Sequence, residues 1–442
     1  MNERARRRAF LSSLLAVPAA FAAGASSLAA PGGEPLPWLV GTAGGEITPP
    51  LEVGLLMSSG RGLWEPFEGV RLPLLAHVVV VSRGTRRVAC GALDLLGLAG
   101  EAVGGWAAFK SRIAAAAGPG WSPDQIVLAC THTHTGPESV ALTNLYHREP
   151  FQRWAKELAD RIGGAIRKAG GGLRPCRLLA GSVSLPGLSL NRRLKTPEGR
   201  MVRNQGPART QAGQVEGPTD DGVHVAAFLE ESGRPAAILV NATAHPVYEM
   251  CIKQVSPDYP GELVRALGEH FPGAEVLFLQ GAAGNINPPQ VSAGAEAARE
   301  HGRRLAEAAR KLMPKLRPVP GNELSLRWRS VDLPARTVAG LPAPEPLAAR
   351  IGLLQLGAAH LVFLSGEPFV EIGLAIRHAA EGRPLMVVGY AEDYIGYIPT
   401  DTAMRNGGYE VGPGRWSRAA AGSELLLRQA AIELLRQPAA IP

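Results

Sequence analysis

Hydrophobic and polar positions fall into two patterns along this chain. Short apolar runs bounded by turn residues predict strands at 74–82, 87–96, 125–129, 223–228, 236–241, 275–279, 353–356, 361–364 and 385–388. Longer stretches repeat apolar residues at helical spacing and predict helices at 101–117, 149–168, 261–270, 293–312 and 422–436. This alternation predicts an α/β fold, with one large domain over 38–438 made of mixed β-sheets flanked by helices.

One long segment lacks either pattern. Residues 196–219 are polar, contain glycine and proline, and show little periodicity. They predict a long loop, which is either a lid over a site or an ordinary surface excursion.

The N-terminus predicts export. Arg6, Arg7 and Arg8 precede an apolar stretch at 14–23 and small residues at 25–30, which is typical of a twin-arginine-type signal peptide over residues 1–30. The apolar stretch is short for a membrane span. We therefore expect a periplasmic or secreted protein, and an uncleaved N-terminal anchor is the alternative.

The charge of the chain argues against a nucleic-acid partner. The formal net charge is +7, and the arginines before residue 9, set against Glu3, account for three of those charges. The remaining excess is small and dispersed, unlike a basic binding face.

The four cysteines have no CxxC spacing, so they do not predict a metal site. Cys90 and Cys130 both lie in or beside predicted strands. They are either a disulfide, which an exported location permits, or two buried thiols.

Two histidines follow the predicted strand at 125–129. His132 and His134 lie within the segment 131–137, Thr-His-Thr-His-Thr-Gly-Pro. On an extended backbone, residues two apart project to the same side, so the two rings could share one metal ion or divide into a ligand and a proton carrier. The alternative is a polar loop whose histidines bond to backbone.

Three further strand ends carry polar side chains. His245 ends the segment 241–245, Glu367 lies in 365–367, and the tyrosine-rich segment 389–397 follows the last predicted strand. Ligands in α/β sheets gather where strands end at one edge, so we expect these groups around one pocket. Taken singly, each also suits a buried histidine, a helix N-terminal carboxylate or packed tyrosines.

Four segments in the same order carry a family resemblance: 41–50, 131–137, 365–367 and 394–397. Over residues 41–412 the chain resembles the catalytic domain of the neutral/alkaline non-lysosomal ceramidases, which are zinc-dependent amidases. The resemblance implies a ceramidase-like catalytic domain that cleaves an N-acyl amide bond with metal-activated water. It also implies one Zn²⁺ per chain.

The resemblance assigns roles to particular residues. It implies that Zn²⁺ is held by four ligands: His132, His245, Glu367 and Tyr397. It implies that the substrate side is lined by His134, Arg192, Tyr409 and Asn287. Two imidazoles, a carboxylate and a phenol suit Zn²⁺, which acidifies a water and polarises a carbonyl. We expect Tyr409, with Arg192, to stabilise the developing oxyanion and His134 to transfer a proton.

Asp94 ends a predicted strand. It is a candidate to orient a ligating histidine, and an ordinary turn aspartate is the alternative.

Two features depart from the family pattern. Asn287 stands where the family has a serine, so a mechanism that requires a serine nucleophile would leave this chain inactive, whereas a zinc mechanism would not. The chain ends at Pro442, and we expect it to lack the C-terminal β-sandwich domain of the ceramidases. Amide hydrolysis is therefore better supported than ceramide as the substrate.

Two other functions remain open. A binuclear metallo-amidohydrolase would use His132 and His134 as paired ligands, although the aspartate-histidine continuation of one such class is missing after His134. A non-catalytic ligand-binding homologue is the second alternative, motivated by Asn287. The expected partner is a small-molecule or lipid N-acyl amide, with peripheral membrane contact for a lipid substrate and no nucleic acid.

Overall fold

The computed structural model describes residues 38–54, 66–203, 214–341 and 345–437. The predicted signal peptide at 1–30 therefore lies outside the described residues. No helix in the described ranges is long and apolar enough to cross a membrane.

The helices of the described residues are α1 Trp106–Ala117, α2 Glu149–Gly171, α3 Asp258–His270, α4 Ala295–Leu312, α5 Val370–His378, α6 Asp401–Asn406 and α7 Ser423–Arg436. Each predicted helix is present. The predicted start of α1 at residue 101 is wrong, because Gly104 and Gly105 have φ angles of 79° and 102°, outside the helical region.

The strands of the described residues are, in chain order, β1 Trp38–Glu46, β2 Gly69–Val70, β3 Leu75–Arg83, β4 Arg86–Leu93, β5 Ile126–Cys130, β6 Arg174–Ser184, β7 Leu190–Asn191, β8 Arg193–Lys195, β9 Met201–Arg203, β10 Gln214–Val215, β11 Gly222–Glu230, β12 Pro235–Ala242, β13 Gln254–Val255, β14 Glu275–Gln280, β15 Ile286–Asn287, β16 Arg317–Pro318, β17 Leu324–Leu333, β18 Leu347–Leu356, β19 Ala359–Leu364, β20 Glu367–Pro368, β21 Leu385–Val388 and β22 Tyr397–Ile398. Every predicted strand is among them.

The largest sheet is mixed and strongly curved. Its order is β14-β12-β11-β6-β1-β3-β4-β5, with β16 beside β6. The β4–β5 and β12–β14 pairs are parallel and the other pairs antiparallel. Edge strand β14 also packs against β3, β4 and β5, so the two ends of the sheet lie close together. The curvature brings the segments that follow β5 and β12 into the same region.

A smaller sheet, of order β17-β18-β19-β21, packs on one face of the large one. Apolar residues from both sheets share one buried cluster, for example Val127 and Leu277 of the large sheet with Phe363 of the small one. Helices α1 to α4 cover the other face of the large sheet. Helices α5 and α7 cover the outer face of the small sheet. The fold is thus α/β, with mixed sheets flanked by helices.

The loop predicted at 196–219 is partly wrong. Strands β9 and β10 lie within it and pair with β8 on either side, and residues 204–213 lie outside the described residues. Strands of two or three residues are too short to show a period in the sequence. The segment is also fixed by an ion pair between Glu216 and the buried Arg193.

The cysteines are free thiols in the described structure. Cys90 and Cys130 do lie on neighbouring strands, but Cys130 faces Leu93 in the pairing register and Cys90 faces Val127. Burial raises the pKa of Cys90 to about 12, which leaves it an unreactive packing residue.

The buried His301 should make the free energy of unfolding depend on pH. It is buried on α4, with Nδ1 3.0 Å from the Tyr248 hydroxyl, and burial lowers its pKa to about 3. In the unfolded chain its pKa is about 6.5, so unfolding takes up a proton between these values and stability is lost as the pH falls from about 6.5 towards 3. We expect the stability of the natural chain relative to His301→Gln to fall by on the order of a few kcal/mol over that range. Urea unfolding of both proteins at several pH values measures this, and a constant difference would contradict it.

Candidate metal centre

The two histidines after β5 are brought together by a loop, not by the strand. Strand β5 ends at Cys130, and His132 has a left-handed backbone with φ 69°. The strand-pleat argument for their common direction is therefore wrong. Their rings nevertheless meet edge to face, and His134 Nε2 lies 3.3 Å from His132 Nε2.

Backbone carbonyls orient two of the imidazoles. His132 Nδ1 lies 2.6 Å from the carbonyl oxygen of Leu96, and His245 Nδ1 lies 3.1 Å from that of Ile286. A carbonyl only accepts, so each Nδ1 carries the proton and donates it. Each Nε2 is left with a lone pair, which is the form that binds a metal.

Asp94 does not orient either histidine through a side-chain contact. Its carboxylate accepts from the backbone N–H of Leu75 at 3.0 Å and from the Thr131 hydroxyl at 3.3 Å. The carbonyl of Leu96 fills the position proposed for it beside His132. Asp94 therefore fixes the ends of β3 and β5, the turn role that the sequence left as the alternative.

Glu367 is placed by two short strands. Strands β20 and β22 are parallel, and Glu367 pairs directly with Tyr397. Gly366 makes the approach possible: its φ is 74°, and a Cβ there would lie 2.5 Å from the carbonyl oxygen of Gly396. Glu367 Oε2 lies 3.3 Å from His132 Nε2 and 3.3 Å from His245 Nε2.

These donors fit a small divalent cation. Two atoms bound at about 2.0–2.1 Å to a tetrahedral Zn²⁺ lie about 3.3 Å apart, as the Glu367 oxygen and the two imidazole nitrogens do. In the described part of the chain, Glu367 Oε2 and His245 Nε2 are buried and have no hydrogen-bond partner. Buried polar atoms are normally paired, so a ligand for both is expected.

His134 adds a further nitrogen that could bind the metal. The side-chain nitrogens of His132, His134 and His245 lie within 4.8 Å of one another and could hold a metal ion. The structure therefore brings together three histidines and one glutamate, and proximity alone does not separate ligand from proton carrier for His134.

The protonation states also suit a metal. Burial, together with Arg192, lowers the pKa of His245 to about 4. Burial and the neighbouring His132 and His245 lower the pKa of His134 well below its usual value. Burial alone would raise the pKa of Glu367, but His132 and His245 outweigh it and lower the pKa. Neutral imidazoles, as at His134 and His245, are the form in which histidine binds a metal.

Arg192 connects Tyr397 and Asn287. Its guanidinium donates to the Tyr397 hydroxyl at 2.9 Å, to Asn287 Oδ1 at 3.2 Å and to the carbonyl of Gly284 at 2.8 Å. Its Nε donates to Glu410 Oε1 at 2.7 Å. Asn287, which stands where the family pattern has a serine, thus accepts a hydrogen bond from Arg192.

Tyr409 forms an exposed part of the same region. It is 39% exposed, whereas Tyr397 is buried, and the two ring centroids are 6.0 Å apart. Its other contacts fix its ring: it stacks on Trp416 at 5.6 Å, and the guanidinium of Arg203 lies 3.9 Å from its centroid.

Three residues beside the centre were missed by sequence reasoning. The Tyr394 hydroxyl donates to Glu367 Oε1, Tyr390 stacks on His132, and Glu410 pairs with Arg192. The two tyrosines lie in the segment 389–397 singled out from the sequence, which gave no basis for choosing among its tyrosines. Nothing in the sequence marks Glu410 beyond its position next to Tyr409.

Two sizeable cavities elsewhere in the described residues do not identify this centre. A cavity of about 840 Å³ between α3, α4 and the end of β6 is lined by none of the predicted site residues. One of about 590 Å³ includes Tyr394 but none of the histidines. The geometry of the donor atoms, not cavity volume, defines the candidate centre.

Comparisons with known proteins support the same fold. No protein-family model and no curated protein sequence matches the chain. Among solved structures, it is similar to the neutral ceramidase from Pseudomonas aeruginosa, with 22% identity and a TM-score of 0.71 over 92% of this chain and 76% of that one. It is likewise similar to a ceramidase complexed with C2, with 20% identity and a TM-score of 0.71 over 92% of this chain and 77% of that one. The chain therefore has the fold of these ceramidase structures.

Proposed function

We propose that this protein is a metal-dependent hydrolase of N-acyl amide bonds. The observation that carries the proposal is the group formed by His132 Nε2, His245 Nε2 and Glu367 Oε2, with 3.3 Å from the carboxylate oxygen to each nitrogen. Shared fold with ceramidases supports an amide as the bond cleaved.

We propose Zn²⁺ as the metal, one ion per chain, held by His132, His245, Glu367 and Tyr397. The nitrogen and oxygen donor set supports zinc. When bound, the ion would supply a Lewis acid that polarises the substrate carbonyl and acidifies water.

The roles of the surrounding side chains follow from their charge and exposure. His134 lies directly beside the proposed ligands, with Nε2 3.3 Å from His132 Nε2, and as an imidazole it would accept a proton and return it to the leaving amine. Arg192 keeps its positive charge, since Tyr397 and Glu410 outweigh burial and raise its pKa. That charge, with the partly exposed Tyr409 hydroxyl, favours an oxygen on which negative charge develops. Asn287 keeps the guanidinium in place.

The proposed substrate class is a small-molecule or lipid N-acyl amide, with ceramide as the first candidate. Peripheral membrane contact is the proposed route to a lipid substrate. Nucleic acid is not a proposed partner, because the positive charge is modest and dispersed.

A metal and substrate screen tests the proposed function. The purified chain should contain one tightly held zinc ion and should release fatty acid from a short-chain fluorescent N-acylsphingosine or another N-acyl amide. Chelation should stop hydrolysis, and returning Zn²⁺ should restore it. Metal-loaded protein that binds such amides but hydrolyses none would contradict the enzyme and support the binding homologue, and two ions per chain would support the binuclear alternative.

We also propose that the protein is exported by the twin-arginine route. The arginine and apolar pattern of residues 1–30 supports this. Two measurements test it. The mass of the chain recovered from the periplasm or medium should show that residues 1–30 have been removed. A chain in which Arg6, Arg7 and Arg8 are replaced by lysine should not be recovered there in this processed form.

A further inference from the structure

Tyr390 lies directly against the candidate ligands, although the proposed function gives it no role. Its ring stacks on that of His132, with centroids 4.0 Å apart and planes inclined by 30°. The same ring meets His245 edge to face at 6.2 Å. Its side chain therefore touches one proposed ligand and faces a second.

The backbone of Tyr390 is held in an unfavourable conformation. Its φ is 54°, which is uncommon for a bulky side chain and strains the backbone. The N–H donates to the carbonyl of Gly366 at 2.9 Å, and the carbonyl accepts from the N–H of Cys130 at 2.9 Å. These two bonds tie it to the segments that precede Glu367 and His132. The two bonds keep the backbone in this strained conformation, in which the ring packs against His132.

The Tyr390 hydroxyl is the unusual atom. Tyr390 is only 2% exposed, and within the described ranges its hydroxyl has no hydrogen-bond partner. Leaving a buried polar group unpaired lowers the stability of the folded protein. By contrast, the neighbouring Tyr394 hydroxyl is paired with Glu367. An un-ionised phenol can donate one hydrogen bond, so the unpaired Tyr390 hydroxyl is a free donor beside the ligands.

We infer that the Tyr390 hydroxyl is an additional hydrogen-bond donor to the substrate carbonyl oxygen. This inference rests on the proposed function. The bond would form most strongly as negative charge develops on that oxygen, so it would stabilise the transition state more than the bound substrate. In the free protein this hydroxyl is unpaired, which lowers the stability of the folded state. Such a loss of stability is common where a residue serves activity.

Two tyrosine-to-phenylalanine variants, each lacking one hydroxyl, test this inference. Tyr390→Phe keeps the ring on His132, so zinc content should be unchanged, kcat should fall about 10²-fold with little change in KM, and the metal-free protein should be as stable as the natural one or more stable. Tyr394→Phe is the matched control. It removes the partner of Glu367 Oε1, so it should weaken zinc binding about 10–100-fold and lower stability.

The outcomes separate this inference from the proposed function. If the natural protein hydrolyses amides and Tyr390→Phe has the same kcat, the inference is wrong while the hydrolase stands. If Tyr390→Phe loses zinc or stability as Tyr394→Phe does, the hydroxyl serves structure or the metal, and the inference is again overturned. If the natural zinc-loaded protein hydrolyses no amide, the proposed function fails and the inference falls with it.

Discussion

Replacing His132 with alanine is expected to abolish zinc binding and amide hydrolysis together. His132 Nε2 lies 3.3 Å from both Glu367 Oε2 and His134 Nε2, so it is central to the donor group. A Lewis-acid metal contributes several kcal/mol to stabilising the transition state, which corresponds to a loss of ~10³-fold or more in kcat/KM. Metal analysis of the purified variant and the rate of fatty-acid release measure the two effects.

His134→Ala is the matched comparison for that result. We expect it to lower kcat by ~10²–10⁴-fold while the protein keeps its zinc, because the proposed role of His134 is proton transfer. Thermal unfolding of both metal-free variants controls for misfolding. If His134→Ala loses zinc as completely as His132→Ala, His134 is a ligand and its assignment as proton carrier is wrong. If neither variant loses zinc, the metal lies elsewhere.

Local patterns were enough to predict the strands and helices that carry the centre. Strands β5, β12, β19 and β21 are apolar runs, and each is followed by a chemically distinctive segment. The expectation that these strand ends gather agrees with the positions of His132, His245 and Glu367. The reason given for the histidine pair was wrong, since the left-handed backbone of His132 depends on tertiary contacts that no residue spacing encodes.

The contacts that support the centre could not be predicted. Glu410 and Arg192 are 218 residues apart in the chain, and no local period connects them. The pairing of Glu367 with Tyr397 occurs in strands of two residues, below the length at which alternation can be read. The resemblance to ceramidases supplied Tyr397 and Arg192 as candidates and included Tyr394 in a matching segment, but it assigned no role to Tyr390, Tyr394 or Glu410.

The curvature of the large sheet explains why such distant residues meet. Strands β5 and β14 are opposite edges in the pairing order, yet they pack against each other. The segment 389–392 then connects these two edge strands. The backbone N–H of Gly389 donates to the carbonyl of Gln280 in β14 at 3.0 Å, and the backbone N–H of Glu392 donates to the carbonyl of Leu128 in β5 at 2.9 Å. Glu392 is further fixed by an ion pair with the buried Lys110, at 2.8 Å. The centre is therefore held by both sheets, which suits a site that must keep its donors in place before a ligand arrives.

Glu410→Ala is expected to cause the largest loss of stability among the charged residues beside the centre. Glu410 is fully buried and bridges two buried arginines, with Oε1 2.7 Å from Arg192 Nε and Oε2 2.6 Å from Arg193 Nη1. Burial would raise the pKa of Glu410, but the two arginines outweigh it and lower the pKa, so the carboxylate is ionised. Its removal leaves Arg192 without a carboxylate partner, and breaking such a buried pair costs about 3–5 kcal/mol.

Urea unfolding of the metal-free protein measures that loss, and two variants calibrate it. Glu149→Ala removes an exposed pair with Arg153 on α2 and should cost no more than ~0.5 kcal/mol. Glu410→Gln keeps the shape and one acceptor oxygen, so its cost should fall between the two. Because Arg192 also donates to Tyr397, Glu410→Ala should lower kcat as well, as the guanidinium loses its anchor. A cost for Glu410→Ala as small as that for Glu149→Ala would mean that Arg192 is held by its other partners and that the buried carboxylate is dispensable.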